Sequence, residues 1–235
     1  MSEKKKSELT DYEKYIRTEE LLSLQKEEEE LCCEDELTFQ MIHQIAELHF
    51  KLVIQYIHRA DRFMRDDDLF GAATQMRRVN MHMKQLPEVF NLVKVISPAD
   101  YHTIRLYLGR GSGQDSPGFN RILHLGPTLW EPFEEVLSNR MLTPLEVYKH
   151  PQREQQLYDL MQELIQFDEN FQSFRHHHIQ LVRRMIGFDT QSLKGIPAKA
   201  LERGVKFEFY PKLWKAISEL TDFTGSSYNA EPLKD

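Results

Sequence analysis

Two stretches carry most of the side chains that could do chemistry. Residues 174–188, FRHHHIQLVRRMIGF, set His176, His177 and His178 in a row, and residues 34–51, EDELTFQMIHQIAELHFK, contain His43. A histidine can ligate a metal, pass a proton near neutral pH, or sit in a core as a hydrogen-bonded neutral ring. Spacing separates the three neighbours. His178 falls four residues after Phe174 and three before Leu181, so it continues the apolar stripe Leu157, Leu160, Leu164, Phe167, Phe171, Phe174 and on to Met185. At about 100° per residue, His177 lies a quarter-turn or so away from that stripe and His176 about 200° away, which predicts a solvated flank for both. His43 sits in a matching stripe: Phe39, His43, Ala46, Phe50, Val53, Ile57.

One inward histidine on each of two long helices is compatible with two satisfied core rings, with a zinc site, or with a haem slot. Zinc fits least well, because the chain has no His-Glu-x-x-His and no Cys/His pairs at ligand spacing. Haem needs one proximal histidine on a rigid helix, a flat apolar slot and a distal pocket. Spacing alone does not choose between haem and a core. Tyr101 and Arg105, four apart, share another helical face beside the glycine-rich loop LGRGSGQDSPGFN at 108–120. An arginine there can grip a carboxylate with two hydrogen bonds, although an ordinary surface ion pair accounts for the same pattern. The loop lacks the lysine-hydroxyl ending of a phosphate loop.

The elements that must hold these residues read as helices throughout. Ten glycines and ten prolines in 235 residues are few, many are clustered, and no alternating strand pattern of any length appears. The pattern predicts helices over 11–24, 34–65 and 69–96, the last with Pro87 kinking or interrupting it. Ser97-Pro98 signals a helix start, predicting 98–108. Further helices are expected over about 127–139, just after Pro144, and over about 152–186. The fold class is therefore all-α, a helical bundle: a tail at 1–10, one domain over 11–221, and a second tail over 222–235. The acidic run Glu27–Glu30 reads as a solvated face.

Composition narrows the function class. Hydrophobic residues make up 40% and charged residues 29%, ordinary for a globular protein. A formal charge of −7 argues against a nucleic-acid partner. No apolar run approaches the ~20 residues that span a bilayer, so no membrane association is expected. The lysines of MSEKKKSELTDYEKY are followed by no apolar core, so a secretion signal is not expected and a cytoplasmic location is. Cys32 and Cys33, the only cysteines, are neighbours and read as free thiols.

Taken together, the segments from Tyr12 to about Trp214 resemble the tryptophan 2,3-dioxygenase family, haem enzymes of the histidine-ligated aromatic-oxygenase superfamily. Residues 34–51 are similar to the family's distal helix, matching at the Asp-Glu pair, Phe39, His43-Gln44 and Glu47-Leu48. Tyr101-His102-Thr103-Ile104-Arg105 resembles its Tyr-x-x-x-Arg, and Leu108-Gly109 with Ser112-Gly113 and Ser116 its Leu-Gly-x-x-Ser-Gly-x-x-Ser. FRHHHIQLVRRMIGF is similar to the proximal helix, an aromatic-Arg-x-x-His followed by Val-x-Arg-x-Ile-Gly; Phe209 to Trp214 resembles the closing segment more weakly.

The resemblance implies haem b held between long helices with His178 as proximal iron ligand. It implies that Phe39 packs on the substrate ring and that His43, the catalytic-site histidine, hydrogen-bonds the indole nitrogen. Arg105 would hold the amino-acid carboxylate, with Tyr101 and Ser112 beside it. Residues 12–25 resemble the opening helix that reaches over a neighbouring subunit's site, which implies substrate-side roles for Tyr12, Tyr15 and Ile16 and a homotetramer. The implied reaction joins dioxygen to L-tryptophan, or to a close indole relative, and gives an N-formylkynurenine-type product.

Two departures stand out. The family's glycine-, serine- and threonine-rich loop is replaced here by 188–197, FDTQSLKGIP, where Ser192 stands in for a threonine, and Gln114 replaces a usual phenylalanine. They keep two alternatives open: a haem-dependent monooxygenase acting on an aromatic amino acid or indole, and a non-catalytic haem-binding paralogue.

Overall fold

The computed structural model describes residues 9–109, 111, 113–187 and 207–223. Among these residues every regular element is helical. Three long helices carry the core: α3 (Glu36–Arg65), α4 (Leu69–Asn91) and α9 (Gln155–Ile186). α3 and α9 pack chiefly on α4, which lies between them. Around them stand α1 (Asp11–Ile16), α2 (Thr18–Leu22), α5 (Pro98–Tyr107), α6 (Pro117–Leu125), α7 (Trp130–Asn139), α8 (Pro144–Lys149) and α10 (Pro211–Phe223).

The stripes behave as the spacing predicts, except around their histidines. On α3, Ala46, Phe50, Val53 and Ile57 are buried, while Phe39 and His43 at the helix's start are only half-buried. On α9 the row from Leu157 to Phe174 is buried, His178 is half-buried, and Leu181 and Met185 are buried again. Both stripes open at their histidine.

Several boundaries differ from the sequence expectation. The helix expected over 11–24 is two short ones, broken where Arg17 takes a left-handed φ of 56°. Neither piece contains a buried residue, so no packing enforces continuity. α4 runs through Pro87 without interruption, with Met83, Leu86 and Phe90 buried around it, and gives way to a 3₁₀ turn at Leu92–Val95 instead. The second half of the expected 108–120 loop is the start of α6. Its signal is a repeat of the Ser97-Pro98 signal: Ser116 caps, accepting the Phe119 N–H at 3.1 Å, and Pro117 opens the helix. Gly118 looks like a loop residue, but a Cβ there would lie 2.6 Å from the Glu47 carboxylate and 2.6 Å from Phe50 Cβ. Its role is to let α6 approach α3. The expected helix over 127–139 is a 3₁₀ turn, Gly126–Leu129, running into α7.

The weakly matched segment around Phe209 is an anchored element. Asp168 of α9 is fully buried, and its carboxylate accepts the Phe209 N–H (2.9 Å), the Tyr210 N–H (3.3 Å), the Trp214 Nε1–H (2.9 Å) and Gln172 Nε2 (3.2 Å). Tyr210 O–H donates to the Gly126 carbonyl at 2.9 Å. Both cysteines are free and half-buried, and burial together with Glu36 pushes the Cys32 thiol up to about 11, far from a reactive thiolate.

Asp168→Ala orphans this set of donors at once and should cost about 2–4 kcal/mol, read as a lower urea midpoint at unchanged m-value. Asp168→Asn, which keeps an acceptor, should lose less. A loss below about 0.5 kcal/mol for the alanine variant would mean that the carboxylate is not what docks α10.

Candidate functional site

α3, α4, α6 and α9 each contribute one phenylalanine to a single cluster: Phe50, Phe90, Phe119 and Phe174. Phe174 meets the other three at ring-centroid distances of 5.9, 5.5 and 6.0 Å respectively, in edge or tilted geometry. Beside these rings lies a cavity of about 410 Å³, bordered by His43 and His178, with Glu47, Ser116, Asn120 and Arg175 as its polar wall. That volume is within the range typical of small-molecule sites. Phe90 stands between the two histidines, its ring 5.4 Å from that of His43 and 6.4 Å from that of His178.

Both histidines are held neutral. Burial pushes His178 down to about 4, and the nearby rings of His43 and His177 add to the shift. Burial also lowers His43, against the pull of its bond to Phe39 and of the Glu47 charge. His43 Nδ1 lies 2.7 Å from the Phe39 carbonyl oxygen. A carbonyl only accepts, so Nδ1 carries the proton and Nε2 keeps a lone pair able to accept an N–H. A neutral imidazole at His178 is likewise the form that ligates metal.

A loop is pinned against this wall by Glu47, one turn after His43. The Ser116 hydroxyl donates to Glu47 Oε1 and the Gly118 N–H to Oε2 at 3.1 Å. Asn120 Nδ2 donates to the Gln114 carbonyl at 2.8 Å. The pin sets Gly113 against His178, where an added Cβ would lie 3.2 Å from Nε2. Glycine therefore lets the loop pack closer to that ring than a side chain would allow.

These features fit a flat, apolar group ligated by one histidine. The rings supply apolar walls, and Arg175 brings to the wall an Nη1 that is shielded from solvent, with no hydrogen-bond partner among the described residues. Among the described residues no cluster of three or more His, Cys, Asp or Glu side chains is arranged to hold a bare metal ion.

Comparison with known proteins agrees with the geometry. The sequence profile of the tryptophan 2,3-dioxygenase family matches residues 1–126. The chain belongs to the tryptophan 2,3-dioxygenase family. The tryptophan 2,3-dioxygenase of Saccharopolyspora erythraea is 26% identical, with 89% of this chain and 92% of the relative covered. The enzyme of Kineococcus radiotolerans is 26% identical over 89% and 91%. That of Burkholderia multivorans is 24% identical over 79% and 76%.

Of the residues that the family resemblance singles out, Phe39, His43 and Tyr101 come together. The Phe39 ring lies 4.1 Å from that of His43 and 6.0 Å from that of Tyr101. Phe39, Tyr101 and the half-buried Arg105 are not in the wall of the 410 Å³ cavity, which Phe39 meets through His43. Tyr12, Tyr15 and Ile16 stand on α1, 71%, 89% and 38% exposed, away from this cavity. Ser112 and Ser192 lie outside the described residues.

One expectation for the histidine row is corrected. His176 is exposed, but His177 is half-buried, its Nε2 is sealed from solvent with no partner among the described residues, and burial lowers its pKa, with Lys94 adding. α9 packs on α4, α5, α8 and α10, so a flank of the stripe is covered as well as the stripe. Glu47 and Arg175 were present in the matched motifs but carried no role there. Their signal was spacing: Glu47 is one turn after His43, and Arg175 one turn before His178.

Glu47→Ala should free the loop at a cost of about 1–3 kcal/mol. Hydrogen exchange at the Gly118 and Phe119 amides should then quicken by about tenfold or more. Unchanged exchange at both amides would show that the loop does not depend on this carboxylate.

Proposed function

We propose that this chain is a haem-dependent dioxygenase that opens the indole ring of L-tryptophan or a close indole relative, yielding an N-formylkynurenine-type product. The observation that carries the reading is the placement of two neutral histidines, from two long helices, at one phenylalanine-walled cavity. Haem b, when bound, supplies the redox-active iron for the reaction with dioxygen, and His178 is the residue that would ligate it.

The other roles belong to the chain's own groups. His43 Nε2, the ring's remaining acceptor, takes the indole N–H and orients the ring. Phe39, whose ring lies tilted 4.1 Å from that of His43, packs on the same ring. Arg105 holds the carboxylate with Tyr101 beside it, and Ser112 and Ser192 complete the substrate contacts. Phe50, Phe90, Phe119 and Phe174 keep water out of the reacting volume. Both oxygen atoms of one dioxygen enter the product as the bond between the two pyrrole carbons breaks, so no external reductant is consumed.

The exposed aromatic and aliphatic side chains of α1 fit a role over a neighbouring subunit's site in a homotetramer. No helix among the described residues is long and apolar enough to cross a membrane, and a cytoplasmic enzyme built as one domain over 11–221 is the consistent reading. Gln114 at the cavity wall supports a second reading, an indole that carries a polar substituent or takes up a single oxygen atom.

Reconstitution tests the assignment. The wild-type chain, given haem b and reduced without oxygen, should show a Soret band that shifts on adding L-tryptophan. Admitting oxygen should then generate N-formylkynurenine. His178→Ala should lose the haem, whereas His43→Ala should keep it and lose about 10- to 100-fold in kcat/KM, the worth of one hydrogen bond to a buried group. A His178→Ala variant with an undisturbed haem spectrum would refute the assignment of the ligand.

A further inference from the structure

A pair of histidines outside the cavity has no part in the proposed reaction. His49 on α3 and His82 on α4 are both half-buried, and each is flanked one turn away by buried residues, Ala46 and Val53 on one helix, Val79 and Leu86 on the other. Their Nδ1 atoms lie 3.1 Å apart, and their rings stand 5.0 Å apart at 76°. One Nδ1 must donate and the other accept, so a single proton holds the two nitrogens together. The Tyr56 ring stacks on His82 at 5.9 Å and 25°, which limits how that imidazole can turn. Burial lowers the pKa of both rings, and His49 lowers that of His82 further. Both are therefore neutral at ordinary pH, the form that ligates metal.

The separation of the two nitrogens suits an ion as well as it suits a proton. Imidazole nitrogens about 2.0–2.1 Å from one metal stand about 2.9 Å apart at a right angle and about 3.3 Å apart at the tetrahedral angle. The observed 3.1 Å falls between the two. An ion can thus replace the shared proton by a tilt of each ring, with both helices left in place. We propose that His49 and His82 form a two-histidine site for an imidazole-preferring divalent ion, zinc(II) or copper(II), that clamps α3 to α4. On binding, the donor ring gives its Nδ1 proton to solvent and takes one at Nε2, so both Nδ1 lone pairs face the ion and no net proton is released. Water completes the coordination, which the half-exposed edge allows. Arg59 and Arg78 lie 5.8 and 5.6 Å from the centre of the Tyr56 ring and oppose a cation nearby. They make the site exchangeable and rule against calcium or magnesium, which seek oxygen ligands. The clamp joins the helix that carries His43 to the one that carries Phe90, so the ion braces the frame of the cavity from outside it.

The full-length chain, stripped with EDTA, is titrated with zinc chloride alone; bound zinc is counted by equilibrium dialysis, and thermal unfolding is followed in parallel. Wild type should bind one zinc ion more than either His49→Gln or His82→Gln. Zinc at about 100 times its dissociation constant should raise the wild-type Tm by about 5–10 °C. Each variant should bind at this site at least about tenfold more weakly, because a single ring loses the chelate, and its Tm should respond correspondingly less. Copper(II) should bind tighter than zinc, and magnesium should leave the Tm unchanged. Equal zinc counts and equal Tm shifts in wild type and both variants would place the metal elsewhere and overturn the proposal. Two wild-type results overturn it without any variant: a zinc affinity weaker than about 1 mM, or a magnesium shift as large as that of zinc.

Discussion

Everything at the site depends on the meeting of phenylalanines at Phe174. Four helices are each represented there by one ring, and Phe174 touches the other three. Rings in edge and tilted contact fix the separation of the helices that carry them, because interiors are close-packed and rotamers have few alternatives. The separation leaves a cavity with His43 and His178 at its border and Phe90 between them. A smaller side chain at 174 would remove contacts to three helices in one change. The cluster is at once the core and the wall.

The same apolar packing sets the electrostatics. Desolvation holds both imidazoles neutral, so one can act as a ligand and the other as an acceptor at ordinary pH. It also lowers the pKa of Arg175, whose Nη1 is shielded from solvent beside the Phe171 ring. Glu47 acts differently. Its negative charge is fully engaged by Ser116 and Gly118, and the outcome is mechanical: the loop bearing Gly113 and Gln114 is held against α3.

Much of this was legible in the sequence, for a physical reason. The stripes of α3 and α9 mark which histidine points inward, since burial follows the helical period, and His178 and His43 were picked out that way. Ser97-Pro98 announced α5 because the cap and the fixed proline φ act locally. Other features were hidden because they depend on partners distant in the chain. Gly118 reads as a loop residue until α3 is seen against it. His177 reads as solvated until α9 is seen covered on its flank. Asp168 looks like any acidic residue on a helix until the Phe209–Trp214 segment arrives to donate to it. Arg175 was visible only as a motif position; that its Nη1 is shielded, with no hydrogen-bond partner among the described residues, depends on the packing around it.

The central claim is that this cavity directs both atoms of one dioxygen into an indole ring. Turnover of L-tryptophan by the haem-loaded chain under oxygen-18 gas, followed by the mass of the product, tests it most directly. The account predicts a ring-opened product carrying two heavy oxygen atoms. A product with a single heavy oxygen, its ring intact, would contradict it and make the protein a hydroxylase on the same scaffold.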